Sequence, residues 1–470
     1  MSQTGTAPAP TKLDPAVVRI AMAVIAGGIA VIFDSTIVSI AIDQLGDHLH
    51  ASLGTIQWVS TGYLLAMFVA IPPSAWLQAR LGGKRLWIAA LGLFLLGSVL
   101  CAFAWDAPSL IAFRVVQGLG GGIMMPLMTT LILQAARGQS MGRLMALIGL
   151  PISLGPILGP VIGGVILSWL TWHWLFLVNV PVCLVGAFLA WRILPDDRPA
   201  PGPRPTLDGL GLIQLVPGLV GIIYGLSNIS KDGGAGRGDV WLPLAVGAVL
   251  TGAFVLWGLR HGKCALLDVR LLGHRPLAVG SFLLFLMCIA LYGAMLLFPL
   301  YFQQLRGHDA LAAGLLLIPQ GVGALLSRTL GGRLTDDVGP RQVAIAGFLV
   351  TALGTLPFAF AGTSTATWWL LLVLLVRGAG LGLVMTPIMS VAFVGLEKQE
   401  TPDASIITRV AQQLGGSFGT AVLAVVLESA VRHGGTPVSG FHQAFWWATA
   451  FTVLGGALAL LLPGRRAGHA

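Results

Sequence analysis

The sequence predicts an all-α membrane protein with fourteen transmembrane helices, built as two parallel six-helix bundles with a two-helix insert. Three observations support this fold class. The 470-residue chain is 56% hydrophobic and only 10% charged, whereas soluble domains usually carry about 25% charged residues. Its apolar runs are about 20 residues or longer and do not alternate in polarity, which indicates spanning helices and not strands. Finally, short motifs recur at one offset in the two ends of the chain.

Fourteen apolar runs are the predicted spans, numbered 1 to 14 in chain order. They lie near residues 17–42, 56–78, 86–105, 108–134, 143–169, 173–194, 207–228, 241–259, 277–304, 311–332, 342–361, 366–393, 406–430 and 443–463. Lys and Arg are frequent in every second connection and nearly absent from the others. The positive-inside rule therefore predicts a multi-pass protein of the plasma (inner) membrane with both termini in the cytoplasm.

Composition also limits the classes of partner and chemistry. The net charge of +9 is explained by the basic connections, so we expect the lipid bilayer, and not nucleic acid, as a partner. The four cysteines show no CxxC spacing, so neither a disulfide nor a metal site is expected. No HExxH or P-loop motif occurs in the chain, and an enzyme or a bound cofactor is not expected.

The chain carries a weak internal repeat. The string QGLGGG at 117–122 matches RGAGLG at 377–382, and the glycines of GPILGP at 155–160 recur in GGSFGT at 415–420. Repeats of this kind are typical of transporters that work by alternating access. The predicted organisation is a cytoplasmic tail at 1–16, a first bundle at 17–194, a linker with two inserted helices at 195–276, a second bundle at 277–463 and a cytoplasmic tail at 464–470.

Asp34 is an acid within the first apolar run. With a helical rise of about 1.5 Å per residue, Asp34 is about 12 Å deep in span 1 and Arg114 about 9 Å deep in span 4. Two such buried charges are costly alone and stabilise each other when paired. The pair is either a static structural ion pair or, as we favour, a proton site in which Asp34 titrates because arginine keeps its proton. The counterpart of Asp34 in the repeat falls near Tyr292, which is not an acid.

Four motifs give the chain a resemblance to a known family. The matching residues are Asp34, Thr36 and Ala41 in span 1; Arg114, Gln117, Gly118, Gly120 and Gly122 in span 4; Gly149, Gly155, Pro156, Gly159, Pro160, Gly163 and Gly164 in span 5; and Trp172, Trp174, Phe176, Asn179 and Pro181 in span 6. Together they resemble the fourteen-span drug:proton antiporter branch of the major facilitator superfamily. Three positions depart from that pattern: Ser39 replaces Asn, Asp43 replaces Pro, and His173 replaces Arg.

The resemblance implies mechanical roles for the span-5 motif and for two loops. Small residues in the span-5 motif let helices approach closely, and its prolines loosen the helix, as a surface between two rocking bundles requires. The loop between spans 2 and 3 departs from the family pattern, with Ala75 in place of Gly and Ala79 in place of Asp. The predicted gating residues are Arg80, Gly82, Lys84 and Arg85 in that loop, and Gly332, Asp336, Gly339 and Arg341 between spans 10 and 11.

The substrate path is expected near the midplane between the bundles. Methionine and aromatic side chains suit apolar ligands of varied shape, although each candidate also fits lipid-facing or core packing. The candidates are Gln57, Trp58, Tyr63, Met124, Met125, Met128, Tyr292, Phe298, Tyr301, Gln303 and Gln320. Arg377 in span 12 is a second buried cation, and we expect it to bind either an anionic group of the substrate or backbone carbonyls and solvent.

These features predict a proton-coupled antiporter that exports small amphipathic compounds such as drugs, dyes and antibiotics by alternating access. Its partners are then the substrate and protons; it works as a monomer and uses the proton gradient in place of a cofactor. Two alternatives are a dedicated exporter of an endogenous metabolite or lipid and, more remotely, a non-transporting receptor or scaffold.

Overall fold

The computed structural model describes residues 14–41, 45–46, 48–51, 53–136, 155, 159, 162–163, 165–167, 169–197, 208–229, 238–262, 267–308, 310–397, 399–432 and 436–463. Within these ranges all regular secondary structure is helical. The predicted all-α class is therefore confirmed, and the long apolar helices make the chain a multi-pass membrane protein.

The helices of the first half follow the predicted spans. Span 1 is the helix Pro15–Ile37, and Asp14 caps its start by accepting a hydrogen bond from the amide of Ala16 at 2.8 Å. A short 3-10 turn, Val38–Ala41, extends it. The remaining bounds are Leu53–Ala70 with Ser74–Leu81 for span 2, Gly83–Ala102 for span 3, Ala107–Ala136 for span 4, and Trp174–Leu177 with Asn179–Ile193 for span 6.

The helices between the two bundles and those of the second half also lie near the predicted spans. Spans 7 and 8, which form the insert, are Gly209–Ile229 and Gly238–His261. The bounds of the second half are Arg275–Leu300 with the π-helical turn Tyr301–Leu305 for span 9, Ala310–Leu316 with Ile318–Asp337 for span 10, Pro340–Thr355 for span 11, Thr367–Ala392 for span 12, Thr401–Arg432 for span 13 and Pro437–Leu458 for span 14.

Twelve helices among the described residues are long and apolar enough to cross a membrane, and bent span 2 is a thirteenth if its two parts count as one. Those parts, Trp58–Ala70 and Ser74–Leu81, meet at 55°. Pro72 and Pro73 stand at the break, and proline lacks the N–H that would continue the helical hydrogen bonds. Most of predicted span 5, at 143–169, lies outside the described residues, so the fourteenth span stays a prediction.

The described apolar side chains form three cores. The largest, which we call the shared core, contains residues of both bundles and of the insert, including Val17, Leu219 and Leu462. At the opposite ends of the same helices each bundle has its own core. One includes Phe176 of the first half, and the other includes Phe298 of the second half. The bundles therefore pack together at the end where the described chain begins and ends, and they pack separately at the other end.

A hydrogen bond joins the two bundles at the shared core. Thr130 Oγ1 of span 4 donates to Ser405 Oγ of span 13 at 3.0 Å, and both side chains are buried. Hydroxyl pairs between apolar helices add directional contacts to van der Waals packing. Spans 4 and 13 are thus in direct contact across the interface between the bundles.

The two bundles share a helix crossing that follows the sequence repeat. A Cβ added to Gly97 of span 3 would lie 2.6 Å from the Cα of Gln117, and one added to Gly354 of span 11 would lie 2.5 Å from the Cα of Arg377. Only glycine allows backbones to approach so closely. Two further pairs of close backbone contacts match between the halves. The contact of Gly118 with the backbone of Tyr63 corresponds to that of Gly378 with Gln320. The contact of Gly122 with Met67 corresponds to that of Gly382 with Ala324.

The inserted hairpin lies against both bundles on one side of the molecule. Gly221 of span 7 and Gly247 of span 8 bring the two inserted helices together, because a side chain at either would meet the backbone of the other helix. Span 7 contacts span 2 and span 13. On the span-2 side, the rings of Trp58 and Tyr224 are 6.2 Å apart.

Candidate functional site

Asp34 lies one turn before the end of the span-1 helix, and its side chain is fully buried. The next two residues, Ser35 and Thr36, donate hydroxyl hydrogen bonds to carbonyls of the preceding turn at 2.7 and 3.0 Å. Such bonds compete with the regular helical ladder, and the helix tightens directly afterwards into the turn Val38–Ala41. Asp34 therefore stands where span 1 departs from regular α-helix.

Arg114 is the ion-pair partner of Asp34, as their matching depths predict. Arg114 Nη1 lies 2.5 Å from Asp34 Oδ2, and the side chains are 1% and 0% exposed. Arg114 Nε donates to the backbone carbonyl of Val59 at 3.2 Å. The guanidinium also lies 4.0 Å from the ring centroid of Tyr63. Ion pairing, hydrogen bonding and the cation–π contact together offset the cost of burying this charge.

Two amide side chains complete the surroundings of the carboxylate. Gln117 Nε2 and Asn179 Nδ2 each donate to Asp34 Oδ1 at 2.9 Å. Gln117 also accepts from Arg114 Nη1 at 2.7 Å and donates to Ser98 Oγ at 2.7 Å. We call Asp34, Ser98, Arg114, Gln117 and Asn179 the Asp34 network. Spans 1, 3, 4 and 6 each contribute to it, so most of the first bundle converges on one carboxylate.

Three members of the Asp34 network are not among the predicted site residues. Gln117 and Asn179 lie in the span-4 and span-6 motifs, and a polar amide within an apolar span needs a partner. That signal could have identified both. Ser98 lies in an apolar stretch of span 3 without a motif, and nothing in the sequence points to it.

Arg377 in the second half is buried without a carboxylate partner among the described residues. Arg377 Nε donates to Thr355 Oγ1 at 3.1 Å, Nη1 to Gln320 Oε1 at 2.7 Å and Nη2 to the Ala290 carbonyl at 2.9 Å. Its guanidinium lies 4.9 Å from the ring centroid of Phe298. Of the two expected kinds of partner, the structure contains a backbone carbonyl, together with neutral side-chain acceptors.

The predicted substrate-lining residues of the first half lie in different surroundings. Trp58 is 38% exposed and faces Tyr224 of the insert. Tyr63 is buried beneath Arg114. The side chain of Gln57 is outside the described part of the structure. The three methionines are buried in the shared core: Met124, Met125 and Met128.

The candidates of span 9 are divided between two environments. Tyr292 packs on Gly416 of span 13, where an added Cβ would lie 2.9 Å from the ring. Phe298 and Tyr301 belong to the separate core of the second half, at the end away from the shared core. The Tyr301 hydroxyl donates to the backbone carbonyl of Gly362 at 3.0 Å. Gln303 lies in the π-helical turn at the end of the span. The described candidates therefore lie in several different environments, and their role in substrate binding stays a prediction.

The gating loop between spans 2 and 3 receives its acid from another part of the chain. Gly82 has a φ of 83°, which glycine adopts without strain. The first two amides of span 3 donate to the carboxylate of Asp197 at 2.6 and 3.0 Å. Lys84 Nζ lies 2.9 Å from Asp196. Ala79 stands where the family has an acid. Asp196 and Asp197, which follow span 6, supply carboxylates to this loop instead.

The loop between spans 10 and 11 repeats this glycine geometry. Gly339 has a φ of 114° immediately before span 11, as Gly82 has a φ of 83° before span 3. Gly332 is buried in the last turns of span 10. The charged gating residues lie at the surface: Arg80, Arg85 and Asp336 are exposed, and Arg341 is half-buried.

Part of the span-5 motif faces span 1 next to Asp34. A Cβ added to Gly159 would lie 2.8 Å from the Cβ of Thr36, and the Gly155 carbonyl lies 3.1 Å from Thr36 Oγ1, as a second acceptor for the hydroxyl proton that faces the preceding turn of span 1. Gly163 is buried. These contacts fit the predicted close approach of small residues. Four motif residues lie outside the described residues: Gly149, Pro156, Pro160 and Gly164.

A duplicated helical membrane bundle that buries one acid among the helices of one half has the architecture of a secondary transporter. Among the described apolar side chains, the bundles share one core at one end and have separate cores at the other.

Comparison with known proteins identifies the family. The profile of the Major Facilitator Superfamily matches residues 24–420. The "Multidrug resistance protein B homolog" of Mycobacterium tuberculosis is 34% identical over 426 residues, covering 90% of this chain and 78% of that protein. The lincomycin resistance protein LmrB of Listeria monocytogenes is 30% identical over 400 residues, with coverage of 85% and 84%. A double-tryptophan mutant of XylE has the same fold, with a TM-score of 0.69, 17% identity and coverage of 96% and 97%. The chain belongs to the major facilitator superfamily.

Proposed function

We propose that this protein is a proton-coupled antiporter that exports small amphipathic compounds, drugs among them, across the plasma membrane. Relatives named for multidrug resistance and lincomycin resistance support a drug-like substrate. The observation that carries the proposal is Asp34, an acid fully buried in a membrane bundle and held by donors from three side chains. Ionisable residues inside a membrane are expensive to keep, and proton pathways are a common reason for them.

Proton uptake by Asp34 requires the Asp34 network to rearrange. Both carboxylate oxygens already accept N–H groups, and the guanidinium of Arg114 has only donors to offer. A protonated carboxyl donates its own O–H, so at least one of these N–H contacts has to open. Arginine keeps its proton throughout, and the change of charge therefore falls on Asp34.

The distribution of the cores supports an alternating-access cycle. The bundles meet through the shared core and the bond between Thr130 and Ser405. We infer from the basic connections that the termini are cytoplasmic, so this contact closes the cytoplasmic side of the path. Rocking of the two bundles opens that side and closes the other, with Asp34 alternately reaching each solution. The cycle needs one copy of the chain, and we propose a monomer.

The direct test of the proposed function is Asp34→Asn, which keeps the side-chain volume and removes the titratable group. We expect the variant to fold and to exchange substrate across proteoliposomes without a gradient, but to lose efflux driven by an imposed pH gradient. The matched control is Asp106→Asn, a half-buried acid just before span 4 and away from the Asp34 network, which keeps wild-type efflux. Gradient-driven efflux by Asp34→Asn at the wild-type rate contradicts the proposal.

A further inference from the structure

Arg409 of span 13 is a cation that the proposed proton step does not use. It lies eight residues after the helix begins at Thr401, which is about 12 Å along the axis. Arg409 Nη1 donates to Gln412 Oε1 on the same helix at 3.2 Å. Its Nε is buried and has no hydrogen-bond partner. Among the described side chains no carboxylate forms an ion pair with it.

The surroundings of Arg409 lie in both bundles. Arg409 is one helical turn after Ser405, which accepts a hydrogen bond from Thr130 of the first bundle at 3.0 Å. Its charge is within electrostatic range of the Tyr63 hydroxyl in that bundle. In the second bundle it interacts with Cys288 and Tyr292, which are one turn apart on span 9. Span 13 itself contacts span 4 of the first bundle. Arg409 is therefore positioned between the two halves, where a transported compound has to pass.

A second arginine adds positive charge to the same stretch of span 9. Arg377 donates to the carbonyl of Ala290, between Cys288 and Tyr292, and all its hydrogen-bond partners are neutral. Two guanidinium groups thus act on one segment of span 9 without a described carboxylate. A guanidinium N–H buried without a hydrogen-bond partner, as at Arg409 Nε, is costly, and the planar fork of guanidinium matches the two oxygens of a carboxylate.

We propose that Arg409, reinforced by the charge of Arg377, is a subsite for a single anionic group, foremost a carboxylate, on the exported compound. The inference rests on the proposed export function and adds the chemical class of the substrate. Gln412 holds one side of the Arg409 guanidinium and leaves Nε free for the ligand. Tyr292, which is half-buried, supplies aromatic surface for the apolar part of the molecule.

An anionic substrate is compatible with the proton site. When Asp34 is ionised, Arg114 at 2.5 Å neutralises its charge, so a bound anion does not face an unbalanced carboxylate. Exchange of one incoming proton for one outgoing monovalent anion carries about two positive charges inward per cycle, and an inside-negative potential drives it. Exchange of a proton for a monovalent cation carries no net charge. The response of transport to membrane potential therefore reports the charge of the substrate.

The test uses two probes of similar size, a naphthalene carboxylate and a naphthyl trimethylammonium ion, with an uncharged naphthalene amide for reference. Binding to the purified full chain is measured by fluorescence, and transport is measured in proteoliposomes at fixed pH gradient with and without an inside-negative potential. The variants are Arg409→Gln and Arg409→Met. The matched control is Arg275→Gln, which removes the same charge from an exposed position at the start of span 9.

We expect wild type and Arg275→Gln to bind the carboxylate in preference to the ammonium ion, and to export it faster when the potential is applied. Each Arg409 variant should bind the carboxylate about tenfold more weakly or worse, the effect of losing one charge-assisted hydrogen bond. The uncharged amide should be unaffected. Arg409→Met keeps the test valid if Arg409→Gln does not fold, because an apolar side chain of similar length introduces no new polar group at that position.

Two results separate the subsite from the proposed function. If the Arg409 variants bind the carboxylate as tightly as wild type while proton-driven export of the amide persists, the anion subsite is wrong and the antiporter proposal stands. If wild type binds the carboxylate through Arg409 but exports no probe under any gradient, the subsite stands and the antiporter proposal is wrong.

Discussion

In the first bundle the crossing of spans 1, 3 and 4 holds an acid, Asp34, whereas the corresponding crossing of spans 9, 11 and 12 in the second bundle holds none. Gln117 and Arg377 occupy equivalent positions at these crossings, since each packs its Cα on a glycine of the neighbouring span. Each also donates to a hydroxyl: Gln117 to Ser98 at 2.7 Å, and Arg377 to Thr355 at 3.1 Å.

The difference lies in the group that each side chain meets on the first helix of its bundle. Gln117 donates to the carboxylate of Asp34, and Arg377 donates to the backbone carbonyl of Ala290. A carboxylate can gain and lose a proton, whereas an amide carbonyl and a guanidinium keep their charge states. The duplicated frame therefore retains its helix packing while it carries one titratable site and one fixed charge.

The largest effect that tests this comparison is expected from Arg114→Met. The substitution leaves Asp34 buried without its cation, and removing one partner of a buried pair costs about 3–5 kcal/mol. We expect that loss in the free energy of unfolding, measured by denaturant titration in detergent. The double variant Asp34→Asn/Arg114→Met should recover most of it. A single variant as stable as wild type would show that the pair contributes little.

Arg377→Met should have a smaller effect. Its loss leaves the Thr355 hydroxyl, the Gln320 amide and the Ala290 carbonyl without a donor but strands no carboxylate. We expect a destabilisation of about 1–3 kcal/mol, the cost of unsatisfied polar groups. Export of an uncharged compound should still respond to the pH gradient. Loss of that response, with folding intact, would place proton coupling in both bundles and remove the contrast between them.

The loops at the start of spans 3 and 11 give a third test. Asp197→Ala removes the acceptor of two amides at the start of span 3, and we expect a loss of about 1 kcal/mol, as for a helix cap. The matched control is Asp196→Ala. Asp196 is 83% exposed where it pairs with Lys84, and exposed pairs contribute about 0–1 kcal/mol. Equal melting temperatures for the two variants would mean that Asp197 does not act as a cap.

The smallest effect concerns the start of span 4 compared with that of span 12. Ser109 donates its backbone amide to Asp106 at 2.8 Å, and hydrogen bonds from the Ser109 side chain and backbone lower the pKa of this carboxyl. Span 12 begins after Ala366 without a side-chain cap. A lowered pKa stabilises the fold above the ordinary aspartate pKa of about 3.9, and that contribution is lost as pH falls through the folded value.

Asp106→Ala should therefore lower the melting temperature slightly at neutral pH, and the difference from wild type should disappear in acid. Replacing Ala366 by aspartate should have the opposite sign, because it supplies the cap that span 12 lacks. A pH-independent difference for Asp106→Ala would indicate lost packing and not a lost charge.

The fold follows from the sequence because burial in lipid requires long apolar helices, and their lengths and basic connections can be read directly. The pairing of Asp34 with Arg114 follows from the same constraint, since two charges at one depth have few other partners. Ser98 could not be found, because a serine is tolerated in many apolar helices. The cap by Asp197 also could not be found, because it depends on where the end of span 6 lies relative to span 3.

The lining residues were the least predictable. Depth along a helix can be counted from the sequence, but rotation about its axis depends on packing. Phe298 and Tyr301 pack in the separate core of the second half, and Met124 packs in the shared core. Arg409 was not singled out because a lone arginine near the start of a span is usually an interfacial residue; its buried Nε is visible only in three dimensions.

The inserted hairpin of spans 7 and 8 has a consequence for how such chains can grow. Adding a pair of crossings returns the polypeptide to the face it left, so the second bundle keeps its direction and its charged loops keep their side. A single added helix would invert the orientation of the second bundle in the membrane, and the two bundles would no longer be parallel repeats. Evolution can therefore lengthen this molecule between its halves only by even numbers of helices.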